Sequence, residues 1–157
     1  AAFGAVGAWL GGRADDRFGA RTVVLVSVAA LALLSVGLLS VTSDTLLFVV
    51  PAAPGGEGLF TSAPERLYLV FGALVGVFFG PAQAASRTIL VRLAPPEHMT
   101  AFFGLYALTG KLTAFLAPLA VGIVTGISGS QRVGISVIAL FLVGGWALLR
   151  TVRVPAE

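Results

Sequence analysis

Thr22–Val41 is a run of twenty residues without a charge. At about 1.5 Å per residue it makes a helix of roughly 30 Å, the thickness of a bilayer's hydrocarbon core. Immediately before it stands Gly11-Gly12-Arg13-Ala14-Asp15-Asp16-Arg17-Phe18-Gly19-Ala20-Arg21, and before that the apolar stretch Ala1–Leu10. The polar stretch therefore reads as a tight connector between two membrane helices, its charges held at the headgroups.

Composition fixes the class. Charged residues are 11% of the chain, against roughly 25% in a soluble domain, and the mean hydropathy is +1.00. Twenty glycines suit closely packed membrane helices. There is no cysteine and His98 is the lone histidine, which speaks against disulfides and against thiolate or imidazole metal sites. The net charge of +3 comes without a basic run, so no nucleic-acid partner is expected. No phosphate-binding loop, HExxH, GxSxG or paired-carboxylate pattern occurs; neither enzymatic chemistry nor a cofactor is expected.

Five hydrophobic segments follow: 1–10, 22–41, 67–90, 101–127 and 133–149, with a Pro/Gly-rich outer loop at 42–66. The first is about 15 Å of helix, half a span, and reads as the end of a truncated helix. The expected fold is an all-α polytopic transmembrane bundle of four full helices plus that truncated one. Leu46–Val50 is too short to span and is expected to extend the second helix or dip into the interface. Pro95-Pro96 stops the third helix and Thr100 is expected to cap the fourth. Arg13, Arg17, Arg21, Arg92, Arg150 and Arg153 collect on one side, with Arg87 near it, and only Arg66 and Arg132 on the other. That bias predicts a cytoplasmic C-terminus.

Several residues carry more than span-forming character. Gly72, Gly76 and Gly80 recur every four residues and form a face for close helix packing, which continues to Gln83 and Arg87. Gln83 and Ser86 either bond across helices or line a cavity; Arg87 reads best as snorkelling to the headgroups. Counted from Thr100, Lys111 lies about 16 Å into the membrane, and Gln83 about 13 Å counted from Arg92. A lysine at that depth costs a few kcal/mol and needs water, a substrate anion or a partner carboxylate. No acidic residue lies in any expected span, so a carboxylate has to come from elsewhere in a longer chain or from the substrate. The plainer reading is a structural lysine bonded to carbonyls that Pro118 frees. Pro118 also places a kink in this segment, for packing or for rocking. Asp44, Glu57, Glu65 and Arg66 read as solvated loop charges.

In the connector, Gly12, Asp16, Arg17, Gly19 and Arg21 follow the pattern G-x-x-x-D-R-x-G-x-R. Gly12 and Gly19 are expected to supply turns, Asp16 to accept from a helix start, and Arg17 and Arg21 to hold phosphates or a neighbouring helix's terminal carbonyls. The pattern resembles the cytoplasmic loop signature of the major facilitator superfamily. From Gly76 the chain reads GVFFGPAQAASRTILVRLAPPEHMTAFFGLYALTGKLTAFLAPLAVGIVTG, followed by GISVIALFLVGG. This is similar to the family of the fungal vacuolar amino-acid effluxer linked to autophagy, with its bacterial relatives. The shared positions are Gln83, Ala84, Ser86, Arg87, Phe102, Phe103, Gly104, Tyr106, Gly110, Lys111 and Pro118; Thr88 stands where the family has Ser.

The resemblance implies the C-terminal half of a major facilitator fold, the last five of roughly twelve helices, working by alternating access on a small solute. It implies a pathway through Gln83, Ser86, Tyr106 and Lys111, and a connector whose Asp16, Arg17 and Arg21 latch helix ends in one state. The expected partners are the solute, the bilayer and an N-terminal half of the same chain; the expected location is a bacterial plasma membrane. Amino-acid efflux and proton coupling are implied by the family only. The competing reading is a non-transporting scaffold or receptor-like module.

Overall fold

Gly19 alone separates the first two helices. Its φ of 79° belongs to glycine, its N–H donates to Asp15 O at 2.8 Å, and its carbonyl accepts from Val23 N–H at 3.2 Å. One residue thus ends α1 (Ala2–Phe18) and starts α2 (Ala20–Ser40). The computed structural model describes residues 2–42, 45–46, 50–51 and 62–152. Most of the 42–66 loop, with Asp44 and Glu57, and Arg153 lie outside the described residues. The remaining helices are α3 (Ala63–Leu93), α4 (Met99–Ser128) and α5 (Gln131–Thr151), with a 3₁₀ turn at Pro96–His98 before α4. Apart from an antiparallel pairing of β1 (Thr45–Leu46) with β2 (Val50–Pro51), the described structure is all helix. Leu46 and Val50, the ends of the apolar piece 46–50, thus pair with each other, and α2 ends at Ser40; residues 47–49 lie outside the described residues. Helices α2 to α5 are each long and apolar enough to cross a membrane.

The helices outrun the hydrophobic segments. α1 does not stop at Leu10 but continues to Phe18, although Gly11, Gly12, Asp15 and Asp16 are poor helix formers by themselves. Gly12 therefore makes no turn: it lies exposed inside α1, with open space where a β-carbon would go. Asp16 sits in the last turn of α1, not at a helix start. α3 begins at Ala63 because Ser62 and Glu65 form a capping box, the Glu65 N–H on Ser62 Oγ at 3.3 Å and the Ser62 N–H on Glu65 Oε2 at 3.1 Å. Glu65 is thus a capping residue, not a loop charge. The N-cap of α4 is His98; Thr100 is already inside the helix.

α1 and α3 run parallel and pack by backbone approach. Pro81 has no N–H, so the Val77 carbonyl four residues earlier loses its helical partner. Gly7 of α1 lies directly on that oxygen; a β-carbon there would collide with it. A β-carbon on Gly11 would stand 2.6 Å from Pro81 Cβ, and one on Gly80 2.7 Å from Gly4 O. Of the expected glycine face, Gly80 is thus in tight contact, and the Gly76 carbonyl lies 3.8 Å from where Gly4 would carry a β-carbon. Gly72 is exposed with open space around it and packs against nothing among the described residues. Pro118 is likewise exposed: α4 passes through it as one uninterrupted helix, and it packs no neighbour here.

α2 runs antiparallel to α3 on one side and to α5 on the other, and α4 packs on α5. Ala20, Val23 and Val24 of α2 meet Ala85 and Ile89 of α3 in the buried core, with Ala14, Val28 and Leu149 against it. α3 and α4 touch little beyond their short connection. The alternation of helix direction brings Arg13, Arg17, Arg21, Arg92 and Arg150 to one end of the bundle, and Arg66 and Arg132 to the other.

Candidate functional site

Tyr106 and Ser86 join α4 to α3. Their hydroxyl oxygens lie 2.9 Å apart, and Ser86 Oγ is 2.9 Å from the Gln83 carbonyl. A hydroxyl has one proton. A carbonyl only accepts, so Ser86 donates to Gln83 O and Tyr106 donates to Ser86. The result is a directed pair of hydrogen bonds from α4 into α3. Thr109 and Thr113 return their hydroxyls to their own helix, on Tyr106 O and Thr109 O at 2.8 Å each. Three of the four expected pathway residues are thereby brought together, Gln83 through its backbone and with its side chain exposed.

Lys111 is not among them. It stands five residues past Tyr106, about 140° around the helix at 100° per residue. Its face holds Gly104, Phe115, Pro118 and Gly122. Lys111 is exposed and makes no side-chain bond within the described residues. α4 as a whole has no buried residue. Lys111 is therefore presented outward from these five helices, where solute, water or another part of the protein can meet it.

The connector divides its labour. Arg21 Nη2 donates to the Arg150 carbonyl at 2.8 Å, holding the last turn of α5 as the sequence suggested for a neighbouring helix end. Asp16 and Arg17 are exposed and make no side-chain bond among the described residues. Asp15 Oδ1 and Arg21 Nε are buried with no partner. Asp16 and Arg17 thus present an acceptor and donors to groups beyond these helices. An apolar cavity of about 500 Å³ lies between α1, α2 and α3, bordered by Gly7, Gly11, Val23, Ser27, Val77 and Pro81. It is distinct from the Ser86–Tyr106 junction.

A comparison with protein families matches residues 2–156 to the family described as vacuole effluxer Atg22 like. The chain belongs to that family. Relatives of this Atg22-like chain include Autophagy-related protein 22 of Cryptococcus neoformans, 37% identical over 79 residues, which are 50% of this chain and 14% of that protein. Autophagy-related protein 22-1 of Penicillium rubens is 34% identical over 87 residues, 55% of the chain and 14% of the relative. The MFS-type transporter YxiO of Bacillus subtilis is 31% identical over 78 residues, 49% of the chain and 18% of the relative. The matched stretches are thus under a fifth of each relative's length. No solved structure matches. The family and these names are those of transport and autophagy proteins, not of enzymes.

Four features of the Atg22-like chain escaped sequence reasoning. Arg13 lies over Trp9 at 4.0 Å and Arg150 over Trp146 at 4.7 Å. Both pairs are four residues apart, one turn of helix, and put an aromatic ring beside a cation at the same end of the bundle, as in an interfacial belt. The W-x-x-x-R spacing was visible in both places. Gly4, Gly7 and Gly11 form the partner face for α3, and their spacing was also visible. Pro81 and the S-x-x-E of the α3 cap were the other unread signals. The partners of Arg21 and Arg132 lie 129 and 93 residues away, beyond any local pattern.

Proposed function

We propose that this chain forms the C-terminal part of a secondary transporter of the major facilitator type that moves a small solute across a membrane by alternating access. One observation carries it: Gln83, Ser86, Tyr106 and Lys111 all lie on α3 and α4, two spanning helices that scarcely touch, and the side chains of Gln83 and Lys111 face outward. Polar groups in a membrane helix are costly unless they face water, solute or a protein partner. Membership of an effluxer family supports the same reading. Amino acids are the solute class we propose, and efflux the direction.

In this reading Ser86 and Tyr106 order the junction, Gln83 offers its amide to the solute, and Lys111 meets an anion: the solute's carboxylate or an acid of the protein's other half. Asp16 and Arg17, exposed and without a side-chain bond among the described residues, latch onto that half in one state. No resident cofactor is required; a proton is the coupling ion we propose. The arginine-rich end faces the cytoplasm. The family's description supports a vacuolar membrane over the bacterial plasma membrane expected from the sequence; fractionation of the source cells separates the two.

The test is uptake and efflux of labelled amino acids in proteoliposomes of the full-length protein, with wild type and Lys111→Ala reconstituted at equal density. Transport that Lys111→Ala removes is the expected result. Wild type that moves no amino acid, with or without a proton gradient, overturns the substrate assignment.

A further inference from the structure

Arg21 and Arg132 are each the second residue of a 21-residue helix, α2 and α5. A cation at that position opposes its own helix dipole, whose positive end lies there. Both side chains instead reach across to the other helix. Arg21 donates to Arg150 O near the end of α5, and Arg132 donates to Leu39 O near the end of α2. The two helices are antiparallel, so each arginine stands at its neighbour's negative end, and the two bonds lie at opposite ends of the pair.

The match extends through the last turn. The two donors are 111 residues apart (132 − 21), and so are their acceptors (150 − 39). The carbonyl before each acceptor takes the capping N–H: Val41 on Leu38 O at 3.4 Å, and Val152 on Leu149 O at 3.2 Å. The carbonyl before that takes the hydroxyl of the helix's final residue: Ser40 on Gly37 O at 2.6 Å, and Thr151 on Leu148 O at 2.7 Å. In both helices three of the four orphan carbonyls of the C-terminus are satisfied by the same three kinds of donor, and in both the third comes from the partner helix.

We propose that Arg21 and Arg132 are positioning residues that staple α2 and α5 into one rigid unit throughout the protein's conformational changes, while α3 and α4 alter their separation. The staples stand about 27 Å apart along the helices, from eighteen residues at 1.5 Å each. Two distant fixed points resist both sliding and tilting. A slide of one turn, about 5.4 Å, breaks both bonds together. α3 and α4 have no such pair of anchors: the Ser86–Tyr106 bond is their one side-chain link among the described residues. Arg21 adds a consequence. It lies two residues past Gly19, so the angle of the connector is transmitted to the end of α5 through a single side chain.

The experiment measures distances between spin labels in the full-length protein in lipid nanodiscs, without solute, so that its outcome is separate from that of the transport assay. Labels at Leu33 and Leu140, which are 73% and 70% exposed, report on α2 and α5; labels at Phe79 and Leu108 report on α3 and α4. These 157 residues contain no cysteine to interfere. The expected result is one narrow α2–α5 distance and a broader or split α3–α4 distance. Combined Arg21→Ala and Arg132→Ala is expected to broaden the α2–α5 distribution by about a helical turn, ~5 Å, and each single change by less. An α2–α5 distribution in wild type as broad as that of α3–α4 overturns the proposal. So does a folded double variant whose α2–α5 distance is unchanged. If the double variant does not fold, the wild-type comparison still decides.

Discussion

Gly7 of α1 lies on the Val77 carbonyl of α3, the oxygen that Pro81 deprives of its helical partner. The contact places a Cα–H against an acceptor that would otherwise be unpaired in a membrane, where water cannot satisfy it. Gly7→Ala puts a methyl on backbone that cannot move without displacing α3. The expected loss is about 3 kcal/mol of stability, at the upper end of overpacking costs. Gly12→Ala, five residues on and in open space, is expected to be neutral or to stabilise by up to about 1 kcal/mol. Thermal unfolding of the full-length variants in detergent measures both. Equal stability of the two variants would falsify this account of the α1–α3 packing.

The connector supplies a second glycine test with a different cause. Gly19 has φ 79° and nothing within 4 Å of a would-be β-carbon. Gly19→Ala therefore meets no neighbour, only backbone strain, and should cost about 1–3 kcal/mol, because φ 79° with ψ 149° is a region that glycine almost alone adopts. Replacement by Asn should cost as much, since Asn tolerates positive φ in the left-handed helical region and not at this ψ. A melting temperature lowered alike by Ala and Asn is the expected readout.

The Tyr106–Ser86 bond predicts energetic coupling across α3 and α4. Ser86→Ala and Tyr106→Phe each remove it without large changes of shape. Their coupling energy in a double-mutant cycle should be about 0.6–1.7 kcal/mol, the range of side-chain hydrogen bonds between membrane helices. Additive effects of the two changes would show that the hydroxyls do not act on each other.

For Lys111 the prediction separates transport from folding. It is exposed and unbonded within these helices, so Lys111→Ala is expected to leave the amount of membrane-inserted protein within twofold of wild type and to lower transport at least tenfold. Equal loss of both would return Lys111 to a structural role. Lys111→Arg, which keeps the charge, is expected to retain part of the activity, measured as initial rates in the same liposomes.

Much of the fold was legible because membrane solvent imposes a simple code. Runs of apolar residues long enough to cross 30 Å or so must be helices, and arginines sort to the ends. That code located α2 to α5 and the intramembrane polar residues Gln83, Ser86 and Lys111; Tyr106 was pointed to by the family resemblance alone. It misplaced the boundaries, since the apolar run ends where lipid ends while hydrogen bonding carries α1 on to Phe18 and the Ser62–Glu65 box starts α3 at Ala63.

Sequence by itself therefore determined the class, the number of spans, their alternating direction and the glycine break at position 19. These depend on local hydropathy and on the φ of one residue. Tertiary structure alone decided that Gly72 and Pro118 pack nothing here while Gly7 and Gly11 do, that Lys111 and Tyr106 face apart, and that Arg21 and Arg132 each hold the far end of the other's helix. Those outcomes depend on how helices rotate and settle against one another. That is a balance of close packing and unpaired carbonyls across residues far apart in the chain, and no local pattern carries it.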